Sequence, residues 1–394
     1  MMKKGEVYKD FTVLDVVSID DCASKGIWLK HNRTGLEVFH ILNNDEENLF
    51  AFSFCTPAQD NMGTAHVLEH SVLCGSQKYP IKDPFIRLAN QSVNTYLNAY
   101  TASDRTVFLA SSTVKADFFN LFSVYADAVF FPLLKPEIFL QECHRLELDK
   151  NGKPSIQGVV YNEMKGNYSS FENIASEICS NVLFSDTNYA FDSGGDPLEI
   201  PKLTLSKLRA FHKKYYCPAN CRLFLYGNIP TREQLDLLDK EVLYRIRNAG
   251  SKAVIPLRKK ENSVKEFVRA FGPADENSKD AKSLVTLVWQ TGDGTEDRSS
   301  FSVKNMFLAE LLWGDDCAPV SKALLESGLG EEIAPQSGCS CSRLYSQLSC
   351  GLRGVEVKNA KRVQKVILKT LEDLCKNVYF LCKFPIRVKH YIFT

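Results

Sequence analysis

In Gly63-Thr64-Ala65-His66-Val67-Leu68-Glu69-His70-Ser71-Val72-Leu73-Cys74-Gly75-Ser76, two histidines stand four residues apart with a glutamate between them. Gly63 to Cys74 reads as a helix, which stacks the two imidazoles on one face. Glu69 lies about 60° from His66 around the same helix. Ala65, Leu68 and Val72 point the other way, giving an apolar face turned inward and a chelating face turned toward a cleft. Two neutral imidazoles and one carboxylate, with water in an open position, make a catalytic zinc site rather than a closed structural one. Glu69 sits too near along the chain to be the obvious third ligand. It suits a general base that takes a proton from water, whose acidity the metal raises, and passes it to a leaving amine. The bland alternative is a pair of surface histidines, but among only seven in the chain this five-residue pattern is rare by chance.

Two glutamates compete for the third ligand position. Glu163, in Val159-Val160-Tyr161-Asn162-Glu163-Met164-Lys165-Gly166, opens a long helix. Glu147 follows His144-Arg145-Leu146. Spacing leaves both open, because most glutamates are simply solvated helix carboxylates.

Outward from the histidine helix, the chain reads as α+β. Gly26–His31 and Leu36–His40 flank the Asn32-Arg33-Thr34-Gly35 turn as a hairpin, and Leu49–Phe54 follows as a strand. A short helix spans Asp83–Ala89, with Pro84 in its first turn. Thr106–Ser111 is a strand that leads into one long apolar helix over Asp117–Leu140. Helical spacing continues from Val160 to Leu183 and from Leu205 to Tyr216, before a strand at Cys221–Tyr226. This gives a catalytic domain over residues 1–250 and a Gly-, Ser-, Lys- and Glu-rich linker over 251–266. A second domain over 267–394 has its strand at Ser283–Trp289, helices at Ser302–Trp313 and Pro319–Glu326, a strand at Ser346–Leu352 and a helix at Lys358–Leu374. Its elements recur in similar order, as in a second copy of the first domain. It has no histidine before His390, so it holds no histidine zinc site of its own. The last stretch, from Asn377 to Thr394, lacks acidic residues and breaks the preceding amphipathic pattern, which reads equally as a truncated or altered end or as an ordinary C-terminal strand.

Composition narrows the partners. The net charge of +1 offers no general attraction to nucleic acid or an anionic membrane. The longest apolar stretch is interrupted by Asp127, Pro132 and Lys135, so no membrane span is expected. Thirteen cysteines, an odd number, and a charged start without an apolar secretory segment point to reduced thiols in a cytosolic protein. Cys217 with Cys221, or Cys339 with Cys341, could ligate a metal, but neither has a second matching pair.

Taken with Leu97-Asn98-Ala99-Tyr100-Thr101-Ala102-Ser103-Asp104-Arg105-Thr106, the Gly158–Gly166 block and Ser193-Gly194-Gly195-Asp196-Pro197, the histidine stretch resembles the insulinase/pitrilysin metallopeptidases. More narrowly, it resembles their presequence-protease/falcilysin branch, over nearly all of residues 5 to 375. The resemblance implies two homologous insulinase-type α/β domains, each an antiparallel sheet packed with helices, the second incomplete. It implies His66, His70 and Glu163 as zinc ligands, with the Asn162-Glu163-Met164-Lys165-Gly166 block deciding against Glu147. It implies Glu69 as the base, and Asn98 and Ala99 as borders of the substrate cleft, with the Thr106–Ser111 strand offering its edge to a peptide. Ile156 departs from the pitrilysin pattern, where a glutamate stands seven residues before the ligand, so a supporting carboxylate must come from elsewhere or be absent. Full-length members close two such halves over a peptide, and the other half supplies an Arg and a Tyr for which nothing here matches. The expected activity is hydrolysis of short unfolded peptides. The alternatives are a zinc-binding but inert fragment, or a subunit needing a C-terminal half or partner.

Overall fold

The computed structural model describes residues 2–82, 84–148, 150–258, 282–292 and 294–377. It is a mixed α/β protein with mainly antiparallel sheets and two compact units. The first unit comprises residues 1–165 and 192–255, and the second takes 166–191 together with the described residues from Pro256 onward.

In the first unit, β1 (Val7–Tyr8), β2 (Phe11–Ile19), β3 (Ser24–His31), β4 (Glu37–Leu42) and β5 (Asn48–Cys55) precede α1 (Thr64–Val72) and α2 (Pro84–Gln91). β6 (Tyr96–Ala102), β7 (Arg105–Ser112), α3 (Lys115–Phe130), α4 (Pro136–Glu142), β8 (Arg145–Leu148), β9 (Pro154–Gln157) and α5 (Val159–Asn167) follow. After α6 (Phe171–Leu183), which belongs to the second unit, the first resumes with α7 (Leu205–Tyr215), β10 (Cys221–Gly227) and α8 (Thr231–Glu241). One eight-stranded sheet runs β1-β2-β3-β4-β10-β5-β7-β6, antiparallel except where β10 lies parallel to β4. The expected β3–β4 hairpin forms, with Lys30 opposite Glu37.

Strict alternation in β5 sends Phe50, Phe52 and Phe54 to one face, and all three are fully buried. They meet Phe118, Phe122 and Phe130 of α3, with ring centroids 5.1–5.6 Å apart. Complete burial of each such ring contributes about 1.5–3 kcal/mol, so this seam fixes α3 on the sheet.

The single helix expected over Asp117–Leu140 is two. Phe131 leaves helical geometry at φ −135°, Pro132 brings no amide donor, and Pro136 starts α4. The run from Val160 to Leu183 also breaks, because Ser170 is extended and its hydroxyl caps a new helix by accepting from the Asn173 amide. That break matters for the organisation. Although sequence order places α6 inside residues 1–250, Phe171 and Ala175 pack against Leu284 and Ala334 of the second unit.

The second unit adds β11 (Lys282–Thr291), α9 (Arg298–Trp313), α10 (Pro319–Glu326), β12 (Glu332–Ile333), β13 (Gly338–Ser340), β14 (Ser346–Glu356) and α11 (Ala360–Asn377). β14 is central, pairing antiparallel with β11, β12 and β13. Val285, Leu287 and Trp289 of β11 face a core shared with Trp313, Val320, Leu324, Val363 and Ile367, while Leu284 faces α6. β11 is thus buried on both faces, which accounts for its near-continuous apolar sequence. Residues 259–266 of the expected linker and the stretch from 378 to 394 lie outside the described residues.

Candidate metal and peptide site

α1 begins where Gly63 takes φ 64°, a left-handed conformation that glycine adopts without penalty. A Cβ there would stand 2.5 Å from the Gly194 carbonyl oxygen, so only glycine lets the 194–195 backbone come this close. The close approach has a consequence for the first histidine. His66 Nδ1 donates to that same Gly194 oxygen at 3.1 Å, leaving Nε2 with its lone pair free. Val67, Leu68 and Val72 anchor the helix, but its other face is covered too: His66 and Glu69 are buried, and only His70 is part-exposed among the three.

His70 is oriented by a carboxylate. Its Nδ1 lies 3.2 Å from Oε2 of Glu142, on α4, and Glu142 is 5% exposed. Glu142 is held in turn through Oε1, by Gln141 Nε2 at 2.8 Å and Cys74 Sγ at 3.6 Å. Both Nδ1 atoms therefore have acceptors, and both Nε2 atoms face Glu163 of α5, at 3.6 Å from His66 and 3.8 Å from His70. One ligand atom from each of the three lies within 4.8 Å of the others, a convergence not repeated among the described residues. Zinc at its usual ~2.0–2.2 Å from nitrogen and oxygen donors holds neighbouring donors about 3.4 Å apart. The Glu163 oxygen stands close to that separation from both imidazole nitrogens, and the donor types suit that ion.

Glu69 accepts a hydrogen bond from the Thr101 hydroxyl at 2.7 Å. Burial pushes its pKa up, against the hydrogen bond from Thr101 and the nearby His66 and His70, which favour the carboxylate. Glu163 adds to the upward push. For His70, burial disfavours the cation, but the bond to Glu142 and the charges of Glu69, Glu142 and Glu163 outweigh it and raise the pKa. Burial likewise opposes the Glu142 carboxylate, yet its bonds to His70 and Gln141 prevail and hold its pKa down.

Asn98 and Ala99 lie on β6, and here one expectation is corrected. β7, which contains Thr106–Ser111, has β5 on one side and β6 on the other, so it has no free edge. Among the described residues the edge strand is β6 itself. The Ala99 amide donates to the Asn98 side-chain oxygen at 2.9 Å, and the Asn98 carbonyl accepts from Tyr125 at 3.4 Å. Glu147 is not brought to the histidines. It sits on β8, in a two-stranded hairpin with β9, and accepts from Arg145 Nε at 2.6 Å.

Three contacts were not foreseen. Thr101 and Gly194 lie within blocks singled out by resemblance, but nothing in their spacing tied them to Glu69 or His66. Glu142 answers the question raised by Ile156: a carboxylate reaches the site from α4 rather than from the residue seven before Glu163. No periodicity marks it, because its partner is 72 residues away.

The sequence and the fold have counterparts. Residues 56–169 match the family model described as insulinase (peptidase family M16), and residues 202–379 match the peptidase M16 inactive domain. The chain is 36% identical to the mitochondrial presequence protease of Mus musculus over 400 residues, covering 98% of this chain and 38% of that protein. It is 38% identical to presequence protease 1 (chloroplastic/mitochondrial) of Arabidopsis thaliana over 362 residues, covering 91% of this chain and 33% of that protein. The chain thus spans between a third and two fifths of these relatives. A protease structure from Helicobacter pylori shares the fold with a TM-score of 0.67 at 18% identity, over 87% of this chain and 78% of the other.

Proposed function

Because the chain belongs to the insulinase family of peptidases (M16), in its presequence-protease-like branch, we propose that it carries the zinc and base centre of an endopeptidase for unstructured oligopeptides. The observation that carries this reading is the convergence of His66, His70 and Glu163 beside the buried carboxylate of Glu69. Zinc held by those three side chains would supply Lewis acidity, acidifying a water molecule and polarising a peptide carbonyl. The chain's own residues do the rest. Glu69 takes a proton from the attacking water and delivers it to the leaving amine, and burial raises its pKa toward the range that suits both tasks. Thr101 holds the carboxylate in place. The open edge of β6, at Asn98 and Ala99, receives the substrate as an added strand, with main-chain hydrogen bonds indifferent to most side chains.

A second reading is favoured by coverage, since the chain matches only 38% of the mouse relative. In that reading the metal and base are present, but turnover needs a further half that stabilises the oxyanion.

The test is to purify the chain, measure bound zinc and assay a quenched peptide. Bound zinc with turnover that disappears in Glu69→Gln supports the first reading. Bound zinc without turnover, rescued by a C-terminal half from a relative, supports the second. Unchanged zinc content in His66→Ala would overturn the ligand assignment behind both.

A further inference from the structure

Cys339 ends its side chain 3.2 Å, sulfur to sulfur, from Cys341. Cys339 is the middle residue of β13, opposite Leu348 of β14, and packs on the core of the second unit. Cys341 lies just beyond the strand, with its sulfur 3.8 Å from the Ser302 carbonyl of α9. Both residues are part-exposed. Among the described residues no third histidine, cysteine or carboxylate joins the pair in a metal-binding group. Two thiols alone do not complete a tetrahedral zinc set. Two thiols this close share a hydrogen bond and stand near enough for two-electron chemistry.

We propose that Cys339 and Cys341 form a thiol-exchange site that reacts with disulfides of small thiols, such as oxidised glutathione, and closes to an intramolecular disulfide. The order of events follows from the surroundings. Burial and the contact with Cys341 push the Cys339 thiol up to about 12, so it carries little thiolate at neutral pH. Cys341 therefore attacks first, giving its thiol proton to solvent. The small disulfide's S–S bond breaks, a bond forms to Cys341, and one small thiol leaves and takes up a proton. Cys339 then gives its proton to solvent and attacks the Cys341 sulfur, which expels the second small thiol. Two protein thiols are oxidised by two electrons and one small disulfide is reduced to two thiols. The closed ring joins residues only two apart, so it constrains little of the unfolded chain. It is a reversible mark, not a structural staple.

The inference does not depend on the peptidase reading. The reduced chain is incubated with oxidised glutathione, quenched in acid, alkylated and digested with trypsin. Residues 323–343 form one tryptic peptide that contains these two cysteines and no other. In wild type this peptide should lose two hydrogens, resist alkylation and carry no glutathione. Exposed Cys317, on a separate peptide, should carry a glutathione adduct or an alkyl group. In Cys339→Ser the glutathione adduct on Cys341 should persist, because no second thiol can displace it. A persistent adduct on the wild-type peptide, or full alkylation of both its thiols, would overturn the proposal.

Discussion

Glu142 Oε2 stands 3.2 Å from His70 Nδ1, so a buried carboxylate on one helix sets the ring of a histidine on another. With its Nδ1 proton committed to Glu142, neutral His70 presents a free lone pair at Nε2 toward Glu163. Carboxylates in this position fix the ring and raise its basicity. Glu142→Ala should therefore lower zinc affinity by about 10- to 100-fold, read by competition with a chromogenic chelator. Glu142→Gln should fall between it and wild type, since an amide oxygen still accepts the proton but brings no charge. Equal affinity in all three proteins would remove Glu142 from the site.

Thr101 links the edge strand to the base. Its hydroxyl donates to Glu69 at 2.7 Å, and it is one of the groups that hold the pKa of Glu69 down against burial. A hydrogen bond to a charged acceptor is worth about 1.5–3 kcal/mol, and 1.36 kcal/mol corresponds to about one pKa unit. In Thr101→Val the pKa of Glu69 should rise further. Because the base must be ionised to act, the acid limb of a kcat/KM profile should move to higher pH by about one to two units. Zinc content should not change. A profile that keeps its acid limb while only its height falls would assign Thr101 a purely structural part.

These two contacts also mark how far the sequence was legible. His66, Glu69 and His70 sit within little more than one helical turn, so helix geometry alone placed them on adjoining faces. The Phe50-Phe52-Phe54 alternation likewise announced a strand with one fully buried face. Glu163 required more than geometry, because its distance in sequence from His70 carries no physical meaning until the chain has folded. Glu142, Thr101 and Gly194 belong to the same class: each meets α1 through tertiary packing. The helix breaks near Pro132 and Ser170 were readable in principle, since proline and an N-capping serine stood in plain view. The apolar spacing on either side of them overrode those signals. The identity of the edge strand was not readable, because strand order within a sheet depends on which segments return beside which.

At that edge, the Ala99 amide donates to the Asn98 side chain 2.9 Å away, on the strand that has no neighbour beyond it among the described residues. A peptide added to β6 would compete for this donor. Ala99→Pro removes it, and proline is tolerated on edge strands where the amide faces outward. The expected outcome is a KM for peptide raised about tenfold, as for loss of one main-chain hydrogen bond near 1.4 kcal/mol. Thermal midpoint and zinc content should stay close to wild type. Unaltered KM would place the peptide elsewhere.

His40 offers a test of the fold independent of the metal. It is fully buried on β4, its Nδ1 lies 2.9 Å from the Thr231 hydroxyl of α8, and burial lowers its pKa from 6.5 to about 4. Between those values the unfolded chain binds a proton that the folded chain refuses. Stability from this residue is therefore fully present above about pH 6.5 and is lost as the pH falls toward 4. At pH 5 the loss amounts to about 2 kcal/mol. His31, His144 and His212 are also lowered by burial, so the whole protein should weaken in acid. The His40 share is isolated by His40→Phe, which keeps a ring in the site and removes the titration. Urea denaturation at pH 7 and pH 5 should show the variant losing about 2 kcal/mol less than wild type across that interval. The variant is expected to be less stable at pH 7, where Thr231 has lost its partner, so the comparison rests on the change with pH. Parallel losses in the two proteins would mean that His40 accepts its proton without unfolding.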